Sequence, residues 1–102
     1  MLKYPALFSP INVGGVMLKN RIVMAPMAVN YAHLNGEVSE RQIAYYEARA
    51  RGGAGLIIVE AACIDAPAGR EGFGQVLIDH PRYIRGLNQL ADGIKSCGSR
   101  AI

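Results

Sequence analysis

The sequence predicts an α/β chain laid out as the N-terminal portion of a (β/α)8 TIM barrel: a bottom hairpin, two βα units and the start of strand three. Three observations carry this expectation. Two apolar runs, Ile22-Val23-Met24 and Leu56-Ile57-Ile58-Val59, are apolar on both faces, as in a parallel sheet covered by helices. Each is followed by a loop and then by a stretch of helical pattern. The loops after the strands are long and glycine-bearing, whereas those before the strands are short, the asymmetry of a barrel with its site at the C-terminal strand ends. A flavodoxin-like or Rossmann sheet would carry a glycine-rich phosphate turn after its first strand. Here that turn is Ala25-Pro26-Met27-Ala28, without glycine.

The elements follow in order. Residues 7–18 read as a hairpin, with short apolar runs flanking Gly14-Gly15, a pair free to take the positive φ of a tight turn. Asn20 to Ala25 reads as the first core strand, ended by Pro26, which cannot donate to a ladder. Residues 26–38 form a loop containing Asn35-Gly36. Ser39-Glu40-Arg41-Gln42 has the form of a capping box and predicts a helix over 40–51, with Ile43, Tyr46 and Ala50 on its inner face. Gly52-Gly53 stops it. Residues 55–61 read as the second strand, parallel to the first in a right-handed βαβ unit. A second long loop, 62–80, is broken by Pro67, Gly69, Gly72 and Gly74. His80-Pro81 opens a helix over 81–97 with the stripe Ile84, Leu87, Leu90, Ala91 and Ile94. Gly98 is placed to end it, and Arg100-Ala101-Ile102 begins a third strand.

Length and composition bound the rest. The 102 residues amount to at most one small domain, 51% apolar and 19% charged, which suits a folded chain. No apolar run approaches the ~20 residues that span a bilayer, and Pro5 falls too early for a signal-peptide core, so a cytoplasmic location is expected. The net charge of +3 is scattered. Its densest cluster, Arg49-Ala50-Arg51, sits at a helix end where cations favour the dipole, so no nucleic-acid partner is expected. Cys63 and Cys97 are not spaced as ligands, and no metal site is expected. A complete barrel takes about 250 residues. Leaving four of Ile22, Met24, Leu56 and Ile58 wet would cost roughly 6–12 kcal/mol, comparable to a domain's whole stability. Residues 1–102 are therefore expected to be a partial, truncated barrel domain, either completed by the missing part of the barrel or closed by self-association as a homo-oligomer.

Leu18-Lys19-Asn20-Arg21 followed by Ile-Val-Met-Ala-Pro-Met closely resembles the first barrel strand of the Old Yellow Enzyme family. These are FMN-dependent ene-reductases and NADH:flavin oxidoreductases, including 2,4-dienoyl-CoA reductase-like members. The resemblance covers essentially the whole chain and is strongest over 18–27 and 42–62. It implies an FMN-dependent oxidoreductase that passes hydride from NAD(P)H through FMN to an activated alkene, such as an enone, an enoate or an enoyl or dienoyl thioester. It also implies that Ala25, Pro26, Met27 and Ala28 lie against the isoalloxazine, and that Ala61 lets the backbone approach it. A flavin needs a flat apolar wall and a few donors, and Met27 offers a polarizable one. Many members place threonine or cysteine where this sequence has Ala28, leaving only a backbone N–H there.

No residue of the segment is nominated as catalytic. Glu60 stands at the end of strand two, where a carboxylate can move protons, but a structural acid paired to an arginine is the expectation. Asn30 and Tyr31 read as surface loop residues, and His80 as a contact to a helix N-terminus. The family's paired His/Asn, its proton-donating tyrosine, its phosphate-binding strand ends and any iron–sulfur ligands would all lie beyond Ile102. The segment alone is thus expected to be inactive. The alternative from another class is a non-catalytic, self-associating partial barrel that binds no flavin.

Overall fold

Backbone hydrogen bonds divide the chain into a hairpin and a parallel βαβαβ unit in the computed structural model, which describes residues 2–102. The hairpin pairs β1 (Ile11–Val13) with β2 (Val16–Leu18) in antiparallel register, Val13 opposite Val16. Gly14 and Gly15 take φ of 57° and 88°, the double positive turn that this dipeptide permits. Asn12 Oδ1 accepts the Gly15 amide at 2.9 Å and closes it.

The sheet has the order β3-β4-β5, all parallel, with β3 (Val23–Met24), β4 (Leu56–Ile57) and β5 (Arg100–Ala101). The regular strands are shorter than the expected 20–25 and 55–61, and side chains explain both limits. Asn20 does not enter the ladder: its Oδ1 takes the Ile22 amide at 3.0 Å, while its Nδ2 donates to the Gly53 carbonyl at 2.7 Å. At the other end, the Glu60 amide leaves the sheet to donate to Tyr46 Oη at 3.1 Å. Between these limits the ladder continues through Ile58 N–H to Met24 O and Val59 N–H to Ile102 O.

The two helices cover one face of this sheet. α1 (Glu40–Arg51) is capped by Ser39, whose Oγ accepts the Gln42 amide at 3.0 Å. The box is only half made, because the Gln42 side chain turns inward instead of reaching back to Ser39. Arg49 and Arg51 occupy the last turn, and Gly53, at φ 112°, ends the element. The second helix begins as a 3-10 turn, Pro81–Tyr83, whose Arg82 amide is capped by His80 Nδ1, and continues as α2 (Ile84–Ser96). The expected stripe is corrected at its first position. Ile84 is 56% exposed, and the inner place at this end of the helix is taken by Tyr83, which packs with Cys63 and Leu77. Gly98, at φ 97°, stops α2.

Alternation in the strands sorts the core. Met24, Ile57 and Ala101 lie in one row across the sheet and pack against Tyr46, Ala50, Leu90 and Ile94. Val23, Leu56 and Arg100 form the other row. Its lower part is sheltered by the hairpin, where Val13, Val16 and Leu18 line one groove with Leu56 and Ile102. Leu56 is therefore buried, against the expectation that it would be wet. Val23 and Ile102, on and beside the two edge strands, are among the apolar side chains left exposed, and β3 and β5 each pair on one side only. The open architecture shows in a radius of gyration of 14.7 Å, against about 13 Å for a compact domain of this size. No helix among the described residues is long and apolar enough to cross a membrane.

Candidate functional site

Both strand-to-helix loops leave from the C-terminal ends of the sheet, and they are laced into one layer. Ala32 N–H donates to Gly74 O at 3.0 Å and Leu77 N–H to Gly36 O at 3.0 Å. The Arg70 guanidinium bridges the loops, donating to the carbonyls of Leu34, Gly72 and Phe73. The close approach needs Gly74: a Cβ there would lie 2.2 Å from the Asn30 carbonyl oxygen. Asn30 itself takes the left-handed conformation, φ 58°, which asparagine tolerates best among residues with a side chain.

Ala25, Pro26, Met27 and Ala28 run along the top of β3, and Ala61 stands at the top of the adjacent β4. All five are exposed, Met27 at 54%. Apart from Met27, the exposed residues are small, so backbone lies near the surface along this wall. Among the described residues, neither the Met27 nor the Ala28 amide makes a backbone hydrogen bond. Exposed apolar residues with unspent amide donors fit what an isoalloxazine ring requires.

Behind the wall lies a polar cluster that sequence reasoning missed. Glu60 is 4% exposed, and its partners are not the expected arginine. Oε2 accepts the Val29 amide at 3.0 Å and Tyr46 Oη at 3.2 Å, while Oε1 accepts Gln42 Nε2 at 2.5 Å. Burial pushes the Glu60 carboxyl above the usual carboxylate range, and the bonds from Val29, Tyr46 and Gln42 only partly offset that. Tyr46 is pushed up as well, first by burial, with the Glu60 charge adding to it. The expected inner face of α1, Ile43-Tyr46-Ala50, pointed to this region, but the inward turn of Gln42 has no signal in the local pattern. Ala61 is anchored separately: Gln75 Nε2 donates to its carbonyl at 2.7 Å, and Gln75 Oε1 accepts the Glu71 amide.

Other candidates fall outside this layer or carry structure. Tyr31 is stacked under Arg41, 3.8 Å from the ring centroid, and Cys63 is buried beside Leu77 and Tyr83. No group of three or more His, Cys, Asp or Glu residues that could hold a metal occurs among the described residues.

The chain and its fold have known counterparts. A curated NADH oxidase of Thermoanaerobacter brockii is 45% identical over 100 residues, 98% of this chain but 15% of that protein. The structure of a 2-naphthoyl-CoA reductase in complex with 2-naphthoyl-CoA superposes with a TM-score of 0.92 at 30% identity, covering 96% of this chain and 15% of the other. An Old Yellow Enzyme from a Pichia species superposes with a TM-score of 0.84 at 28% identity, over 94% of this chain and 25% of that one. The chain thus spans 15–25% of these three proteins, and over that span it forms the N-terminal part of a (β/α)8 barrel. A family profile matches residues 6–102, and by that match the chain belongs to the NADH:flavin oxidoreductase / NADH oxidase family.

Proposed function

We propose that residues 1–102 form part of an FMN-binding barrel domain in an NAD(P)H-dependent oxidoreductase. Ala25, Pro26, Met27, Ala28 and Ala61 supply one wall of the flavin pocket in this reading. The observation that carries it is the exposed, side-chain-poor surface these residues make at the C-terminal strand ends. When bound, FMN carries the hydride, taken from NAD(P)H and delivered to an activated alkene: an enone, an enoate, or an enoyl or dienoyl thioester. The likeness to a 2-naphthoyl-CoA reductase held in complex with a CoA thioester favours the thioester end of that range. The segment's own residues shape the wall, offer the Met27 and Ala28 amides to the ring edge, and keep water from one flavin face. None is placed as an acid, base or nucleophile toward substrate, so the segment alone is inactive on this proposal.

Exposed Val23 and Ile102 and the one-sided pairing of β3 and β5 favour completion of the sheet by further strands. We assign that role to the rest of a barrel, with edge-to-edge association of copies as the competing outcome. The deciding experiment is purification of the full-length protein, its visible spectrum, and release of the chromophore by denaturation. Stoichiometric FMN, with NADH or NADPH oxidation that depends on an added enone, acrylate or enoyl thioester, is the expected result. A colourless, fully folded protein would overturn the reading.

A further inference from the structure

We infer that Glu60 is a positioning residue for the flavin, its carboxylate holding the two segments of the wall, Met27–Ala28 and Ala61, at one fixed spacing. This rests on the proposed function, because it presupposes a flavin against that wall.

Glu60 is built into both segments. Ala61 follows it directly in the chain, and its Oε2 accepts the amide of Val29, the residue directly after Ala28, at 3.0 Å. The other side-chain partners, Tyr46 Oη and Gln42 Nε2, both come from α1, so the carboxylate ties loop, strand and helix together. All are neutral donors, and no cation of the described residues pairs with it. A buried acid without a counter-ion is a poor source of stability, since an apolar side chain of similar volume would avoid the desolvation cost. A carboxylate does something there that an apolar side chain does not: it accepts from three directions at once.

Gln42 supplies a second, independent observation. The residue is fully buried and its Oε1 has no partner. An orphaned amide oxygen is costly, so the amide is committed to donating to Glu60 with nothing gained on its other side. Turned over, the same amide would present an acceptor to Glu60. An amide at position 60 would then fit: its oxygen would serve Val29 and Tyr46, and its NH2 would serve Gln42 Oε1. Glu60→Gln should therefore keep the wall in place, provided that Gln42 is present to turn.

The test uses the full-length protein, stripped of flavin and titrated with FMN. The readouts are the FMN dissociation constant, the position of the flavin absorption bands and the exchange rate of the Val29 amide. Glu60→Leu fills the space but frees Val29. It should weaken FMN about ten- to a hundredfold, the equivalent of one charge-assisted hydrogen bond, move the bands and speed Val29 exchange. Glu60→Gln should stay within about threefold of wild type. Should Glu60→Leu fail to fold, Gln42→Leu serves instead: alone it strips one donor from Glu60 but leaves the Val29 bond, and combined with Glu60→Gln it should abolish the rescue. Unchanged FMN affinity and bands despite faster Val29 exchange would overturn the inference and leave Glu60 a fold element. So would equal losses in Glu60→Gln and Glu60→Leu. Wild-type protein that binds no FMN at all would instead refute the proposed function.

Discussion

Replacing Asn20 by alanine tests whether the chain's first strand is held by side-chain chemistry or by its apolar run. Asn20 is buried at the foot of the sheet, and it makes two bonds that no neighbour can replace. Its Nδ2 reaches the Gly53 carbonyl, 33 residues away, at 2.7 Å, and its Oδ1 holds the Ile22 amide at 3.0 Å. The fit is close: a Cβ on Gly55 would fall 2.5 Å from Oδ1 and 2.7 Å from the Asn20 carbonyl. Alanine removes both bonds and leaves a carbonyl and an amide short of partners, which should cost about 2–4 kcal/mol, or roughly 1–2 per bond. That is a large part of a domain's stability of about 5–15 kcal/mol. Asn20→Asp keeps the acceptor for Ile22 but sets an oxygen against the Gly53 carbonyl, and should cost at least as much. The assay is urea unfolding of the full-length protein at fixed flavin saturation, because bound ligand shifts the midpoint by mass action. Lys19→Ala, at an exposed neighbour, is the control and should stay within about 0.5 kcal/mol. An Asn20→Ala loss below about 1 kcal/mol at unchanged m would refute the reasoning.

Four further outcomes are expected. Gly74→Ala pushes a Cβ to 2.2 Å from the Asn30 carbonyl oxygen, so it should separate the two loops, destabilise by about 1–3 kcal/mol and raise proteolysis within 26–38. Ser39→Ala removes the α1 cap and should cost about 1 kcal/mol by the same urea assay. Ala28→Thr adds a hydroxyl beside the proposed flavin. One hydrogen bond of about 1 kcal/mol to the reduced ring corresponds to a rise in two-electron potential of about 20 mV, readable by dye equilibration. Glu60 is held above its ordinary range by burial, so the fold favours its neutral form. Its contribution is whole below the unfolded carboxyl range, near pH 4, and is lost as pH rises through the raised folded value. Wild type should accordingly lose stability relative to Glu60→Gln as pH rises above about 4; a constant difference would exclude Glu60 as the titrating group.

The local elements were legible because their signals are local. The Ser39 cap, the Gly14-Gly15 turn and the glycine stops at 53 and 98 each depend on residues within one turn of chain, and each stands where the pattern put it. Strand limits were not legible, because the competitors for the ladder's amides are side chains whose placement depends on the fold: Asn20 for Ile22 and Tyr46 for Glu60. The same holds behind the wall. Glu60 meets Val29, Gln42 and Tyr46 across 31, 18 and 14 residues, and nothing in the spacing favoured a glutamine and a tyrosine over the expected arginine. Ile84 failed for a different reason: it is the first residue of α2, and the buried place at that end is taken by its neighbour Tyr83, which clusters with Cys63 and Leu77.

These contrasts bear on how the proposed site divides its work. The wall that faces the flavin in this reading is made of alanines, a proline and a methionine, none of which can hold itself in place by a directional bond. Its shape must therefore be imposed from behind, and the groups there are polar, buried and directional: Glu60 through Val29, Gln75 through the Ala61 carbonyl, and Arg70 through the carbonyls of both loops. Each grips the loops and strand ends through their backbone. Wall residues can then change size without disturbing the register of the strand ends, whereas a change at Glu60 or Gln75 moves the surface as a unit. Substitutions in front should tune what the flavin touches, while substitutions behind should decide whether it is held at all.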